Sequence, residues 1–308
     1  MQNTALGLVG FTIAMVVIAP VAKAEKGATD FLADQADAIV VGGIQSAQQA
    51  GTATTFVLAV TRSLKGPFDP GAVLTISGPD PDPEGSFGGQ YGLWFLKQTG
   101  GQWSALPAEP STMHPSRYLP MPKTSSPSSI TTKSPPSTVH DRLALELAAA
   151  LQAAPASSRS FSQLADALLQ CRESALIPEI HRALHGHADP AVRFVGLAGL
   201  VHTSERIAAL SEVAGNIEAI KKHPARRFVS SSLCGFHDPS GVASLARIAQ
   251  STGAFCAVQA LAFIHTIDTL PTLADLLDHS DPAIRELAIC GLSRFVNNFP
   301  ITHVTNPR

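Results

Sequence analysis

The sequence predicts two architectures in one chain: an all-β five-stranded barrel or sandwich, then an all-α solenoid of helical hairpins. Three observations carry that reading. From Thr29 to about Leu106 apolar residues alternate at the two-residue period of strands, cut by Gly and Pro turns. From Val139 to about Phe295 the apolar period becomes helical. Within that second half a heptapeptide recurs, as His187-Ala188-Asp189-Pro190-Ala191-Val192-Arg193 and as His279-Ser280-Asp281-Pro282-Ala283-Ile284-Arg285. The copies lie about 92 residues apart, close to three units of about 31, a spacing typical of stacked helical hairpins.

Composition bounds the rest. The 308 residues are 45% hydrophobic and 15% charged, which suits globular domains rather than a disordered chain. The formal net charge is −2, and removing a leader that carries Lys23 leaves about −3. Neither value suits a general polyanion binder. Residues 1–24 read as an export signal: Ala5 to Ala19 is apolar, Pro20 breaks it, and Ala22-Lys23-Ala24 offers a small-x-small cleavage site. Because Met1 to Thr4 carries no Lys or Arg, a leader retained as a membrane anchor is the alternative. The expected location is the periplasm or the exterior.

In chain order, residues 25–106 form the β-domain. A helical turn at Asp30 to Ala36 precedes strands at Asp37–Gly42, Thr54–Val60, Ala72–Ser77, Tyr91–Lys97 and around Trp103. Tyr91–Lys97 is apolar on both faces and reads as a central strand. Residues 107–138 hold eight prolines with many Ser and Thr, a linker composition, with Tyr118-Leu119 as a local anchor. The helical region spans 139–308. Leu143, Leu147 and Leu151 mark its first helix, Phe161, Leu164 and Leu168 its second, and Ile177, Ile180 and Leu184 the outer helix of the first clear hairpin. The inner helices close on Leu200, Leu233, Leu261 and Leu292, and single helices are expected over Ile207–Ile220, Val242–Ala249 and Leu270–Leu277 between them.

In each heptapeptide the Asp supplies a side-chain acceptor for free amides, and Pro is pre-set for the first helical position. This pattern, with Val or Ile, Arg, and a small residue and Leu at fixed offsets, resembles the HEAT-like repeats of the armadillo-type superfamily. The resemblance implies a ladder between neighbouring repeats, in which Asp189, Arg193, Arg226, Asp281 and Arg285 match and which Ala254 interrupts, with Pro190 and Pro282 at the helix starts. Gly196, Gly199, Ala288 and Gly291 are expected to let inner helices approach closely. The β-domain resembles, distantly, the netrin and metalloproteinase-inhibitor type of OB barrel, through Ala36–Gly42, Val60 to Leu64-Lys65-Gly66, and Gly89-Gln90-Tyr91 leading into Phe95-Leu96. The inhibitors' N-terminal Cys wedge is missing here, so that activity does not follow.

Chemistry-bearing residues are sparse. His181 and His185 stand four apart on one helix, half of a metal site, but no His-Glu pairs recur at equivalent repeat positions. His187 and His279 read instead as turn structure. No Gly-x-Ser-x-Gly nucleophile turn occurs. Asp80-Pro81-Asp82-Pro83-Glu84 reads as a solvated loop. Cys171, Cys234, Cys256 and Cys290 have irregular spacing and read as small buried apolar groups rather than bridges. The one dense basic run is Lys221-Lys222-His223-Pro224-Ala225-Arg226-Arg227, where Lys221, Lys222 and Arg227 fall outside the repeat positions and suit a partner-binding edge. These readings converge on an exported, non-enzymatic scaffold. It would present a helical groove to a protein partner in the cell envelope, without cofactor or nucleic acid, and would meet the membrane only if the leader is kept. The alternative is an enzyme or enzyme accessory like the phycobilisome lyases, which share such repeats, or a His-metal site.

Overall fold

The computed structural model describes residues 27–50, 53–78, 90–106, 118–264 and 266–298. The leader at 1–24, the acidic loop at 80–84 and the first part of the expected linker lie outside the described residues.

A short helix, α1 (Ala28–Gln35), leads into a closed five-stranded barrel. Its strands are β1 (Ala38–Ala50), β2 (Ala53–Lys65), β3 (Val73–Gly78), β4 (Tyr91–Thr99) and β5 (Gln102–Ala105). The order is β1-β2-β3-β5-β4, closed by β4 pairing antiparallel with β1 through Ala38 opposite Leu96 to Gly43 opposite Tyr91. The β3–β5 pair is parallel and every other barrel pair antiparallel.

Two-sided burial explains the apolar runs of β1 and β4. Ala38, Val40, Trp94 and Leu96 point into the barrel core with Phe56, Leu58 and Ile76. The alternating residues Ile39, Val41, Leu93 and Phe95 belong to a second core that continues through the helices as far as Ile284 and Ala288. A strand with water on one face would alternate polar and apolar; these two cannot, because helices cover the outer face.

Among the described residues eleven α-helices follow. They are α2 (Val139–Ala153), α3 (Arg159–Leu169), α4 (Ile177–His185), α5 (Pro190–Leu200), α6 (Arg206–Gly215), α7 (Ile217–Ile220), α8 (Arg226–Ser232), α9 (Val242–Thr252), α10 (Phe255–Phe263), α11 (Leu270–Asp275) and α12 (Pro282–Asn298). α2 begins with a capping box: the Thr138 hydroxyl accepts the Asp141 amide, and Asp141 accepts the Thr138 amide. The inner helices α5, α8, α10 and α12 pack each on the next, and the outer helix α6 packs on α9. None of the described helices is long and apolar enough to cross a membrane.

Barrel and helices are joined by more than a tether. Arg62 donates two hydrogen bonds, 2.7 and 2.9 Å, to the carboxylate of Glu146 on α2, which is buried. Buried Asp30 on α1 accepts the amides of Arg172 and Glu173 at 2.6 and 3.1 Å and faces His140 Nδ1 at 3.1 Å. In the described second half of the expected linker, Tyr118–Pro120 forms a further strand, β6, on β4, and Met121 and Ile130 are buried in the shared core. The Pro-rich stretch therefore becomes a fixed strap there, because its few large apolar residues land where they can be covered.

The cysteines differ from expectation. Cys234 and Cys256 form a disulfide, Cys290 is exposed, and only Cys171 is a buried free thiol. The bridge joins the turn after α8 to the first turn of α10, helices that neighbour only once the pairs have stacked. A separation of 22 residues does not announce that adjacency.

Candidate functional site on one edge of the helical stack

Each inner helix is reached by a return through an outer one, so α5, α8, α10 and α12 start along one edge. Their starts share a device that the sequence shows only in part. A side chain two residues before each N-cap accepts the cap's backbone N–H: His187 for Asp189, His223 for Ala225, Thr252 for Ala254 and His279 for Asp281, each at 3.1 Å. His187 and His279 are thus turn-formers, and His223 and Thr252 are their unrecognised equivalents. Asp189 and Asp281 then cap α5 and α12, accepting Ala191 and Ala283 amides at 2.7 and 2.9 Å, with Pro190 and Pro282 at the first helical positions.

This alignment corrects the register of the expected ladder. Arg226 opens α8, where Pro190 opens α5, so it does not correspond to Arg193 or Arg285. Ala254 is the N-cap of α10 and stands in place of Asp189. The closing-leucine ruler slips because α8 has 7 residues where α5 has 11. Nor do the arginines bridge repeats. Arg285 donates to the His279 and Ser280 carbonyls, and Arg226 to the Lys221 carbonyl, each in the turn before its own helix. Arg193 is exposed.

The glycines act chiefly within a pair. A Cβ on Gly196 would lie 2.4 Å from the His185 backbone nitrogen, and one on Gly199 would lie 2.1 Å from the His181 ring. Both glycines therefore bring α5 against α4, and only Gly291, facing Ala262, serves neighbouring inner helices.

The basic run is divided by the fold. Arg227 turns back to Asp166 on α3 at 3.1 Å and lies over the Phe228 ring, so it belongs to packing rather than to a free edge. Lys222 is exposed. Lys221 pairs with Glu218 at 2.6 Å, and Glu218 also accepts the Ser251 hydroxyl at 2.7 Å. Those two hydrogen bonds, from Lys221 first, hold the Glu218 carboxyl below its usual range.

Lys221 and Arg226 meet at the mouth of a cleft of about 370 Å³ between the second and third helical pairs. Behind it lie the buried core residues Val213, Ile217, Ile220, Val229, Leu233 and Ile248, while Ser230, Ser251 and Thr252 add hydroxyls. Local irregularity opens it. The outer helix expected over 207–220 breaks at Asn216, whose ψ of 15° ends α6 and begins α7, and the facing α8 is short. The Cys234–Cys256 bridge ties together the two inner helices beside this cleft. A second cleft of about 370 Å³ lies one pair earlier, lined by His185, Arg193, Phe194 and Glu212, with His185 Nε2 2.9 Å from Glu212.

His181 and His185 diverge. His181 is buried against Gly199, its Nδ1 has no hydrogen-bond partner, and burial with the nearby charge of His202 lowers its pKa to about 3. His185 faces outward to Glu212. Among the described residues no group of three or more His, Cys, Asp or Glu side chains is placed to hold a metal ion. At the opposite ends of the inner helices, His202, His237 and an Arg206–Asp238 pair of 2.9 Å line an open groove.

Comparison of the chain with protein-family descriptions, with curated proteins and with solved structures found no match.

Proposed function

We propose that the chain is an exported interaction protein whose helical stack presents the starting edge of its inner helices to a partner. The observation that carries this reading is the alignment of four inner-helix starts along one edge, where Arg193, Lys221, Lys222 and Arg226 add positive charge to free helix amides. Such an edge suits an acidic protein of the envelope. The stacked pairs support the HEAT-like reading, and the closed barrel with its parallel β3–β5 pair supports the OB-like one. The Cys234–Cys256 bridge supports export, because disulfides persist in oxidising compartments.

A photo-crosslinker at position 222 of the full chain, expressed in its own cell envelope, tests this. One acidic protein should be captured, more at low salt than at high salt, where charge attraction is screened. Arg193→Ser with Arg226→Ser should abolish capture, and His237→Ser, at the other ends of the helices, should not. Equal capture by all variants at every salt concentration would overturn the proposal.

A further inference from the structure

Three of the four inner-helix starts are fastened by a group that acid can remove. The backbone N–H groups of Asp189, Ala225 and Asp281 can only donate, so Nδ1 of His187, His223 and His279, each 3.1 Å away, must be the acceptor. Each of these rings therefore carries its one proton on Nε2. A protonated imidazole has two N–H groups and no acceptor, so a single proton per ring sets a donor against a donor. The fourth start lacks this property. Thr252 Oγ1 accepts the Ala254 amide at the same 3.1 Å, and a hydroxyl does not titrate in this range.

The rings also sit where neighbouring pairs meet. His223 packs edge-on against Phe194 of α5, with ring centres 5.0 Å apart. His279 covers Gly253, where a Cβ would come 2.6 Å from its Nε2. All three rings are half-buried, so water reaches them. The charged residues around them differ. His187 has His185, Asp189 and Arg193 on the helices it joins, and His223 has Lys221, Lys222 and Arg226, with Arg193 next to Phe194. His279 has Asp278, Asp281 and Arg285, and the Gly253 turn that it covers brings none.

We propose that His187, His223 and His279 make this edge acid-sensitive. On acidification each ring takes up a proton at Nδ1 and releases the amide it holds. The first turns of α5, α8 and α12 then loosen, while that of α10 stays fastened by Thr252. Arg193, Arg226 and Arg285 lie in those turns, so the charge of the edge is displaced with them. Release of a partner on acidification rests on the docking reading above; the loosening of the helix starts does not.

Nuclear magnetic resonance of the full chain at about pH 8 and about pH 5 reads each start separately, on either side of the ordinary histidine value. These local readouts keep the effect apart from that of buried His181, which packs on Gly199 and not at a helix start. At the higher pH the ring nitrogens of His187, His223 and His279 should show Nδ1 without a proton; a proton there would overturn the assignment. At the lower pH, hydrogen exchange at Asp189, Ala225 and Asp281, taken relative to Ala254, should be about fivefold faster, the loss of one neutral hydrogen bond. The triple variant His187→Thr, His223→Thr and His279→Thr copies the acceptor of the α10 start, and its three amides should keep a constant ratio to Ala254. A parent ratio that does not change with pH, or a variant that changes as much as the parent, would overturn the proposal. Exchange is measured on the free chain, so failure to capture any partner would count against the docking reading alone.

Discussion

The first and second helical pairs of this stack solve the same packing problem in opposite ways. In α4–α5 the two helices close completely: Gly196 and Gly199 remove every atom that would hold them apart, the His181 ring fills the space over Gly199, and Asp189 and Pro190 fix the start. In α6–α8 the outer helix breaks at Asn216, the inner helix loses a turn, no side chain caps its first amides, and a cleft of about 370 Å³ remains on the side of the third pair, over buried apolar residues. The pair that departs from the repeat is also the one that carries the basic run and adjoins the disulfide. Where local rules fail in concert, function is the usual reason.

The largest consequence concerns the closed pair. Gly196→Ala places a methyl against the α4 backbone, which no side-chain rotation can relieve, so it should cost about 3 kcal/mol despite the better helix propensity of Ala. Gly199→Ala meets only the His181 ring, and adding His181→Ala should recover most of its loss, a non-additivity read from urea unfolding of single and double variants. Simple addition of the two losses would mean the pair is not closed as described.

The same histidine sets a pH dependence. In the fold His181 stays neutral down to about pH 3, whereas the unfolded chain takes up a proton near the ordinary value of about 6.5. Below that value the unfolded state binds more protons, so stability falls on acidification, by on the order of 3 kcal/mol between about pH 7 and pH 4. His181→Leu should flatten that part of the stability curve. A variant that follows the parent curve would show that His181 is protonated in the fold.

Smaller effects separate the helix starts. Asp189→Ala and Asp281→Ala should each cost about 0.5–2 kcal/mol through the lost cap. His223→Ala, at the uncapped start of α8, should fall at the low end of that range, because it removes one neutral acceptor. Thermal unfolding of the three variants ranks them, and a larger loss at His223 would reverse the contrast.

Much of the architecture was legible in the chain. Strand alternation in 37–103 and the two Asp-Pro starts correspond to the barrel and to α5 and α12, and both-sided apolarity marked β4 as central. What was hidden depended on neighbours. The Cys234–Cys256 bridge exists only because α8 and α10 stack, and Met121 and Ile130 leave a linker-like composition only because a covered surface receives them. The cleft was half visible. The basic run pointed to its mouth, but Arg226 was counted as a repeat residue because a ruler of closing leucines could not register the missing turn of α8. The better signal was the acceptor two residues before each cap, present as His at 187, 223 and 279 and as Thr at 252.

The central claim is that the second pair is open where the first is closed, and one comparison tests it most directly. Ser230→Leu places apolar atoms in the cleft, and Ser231→Leu adds the same atoms one position away, at an exposed site with the same helix propensity. If the cleft is open, Ser230→Leu should raise stability over Ser231→Leu by about 1 kcal/mol, the gain from burying the new side chain in the cleft instead of leaving it in water. Equal stabilities, or a Ser230→Leu chain less stable than the parent, would mean that the cleft has no room for the side chain and that the two pairs are packed alike.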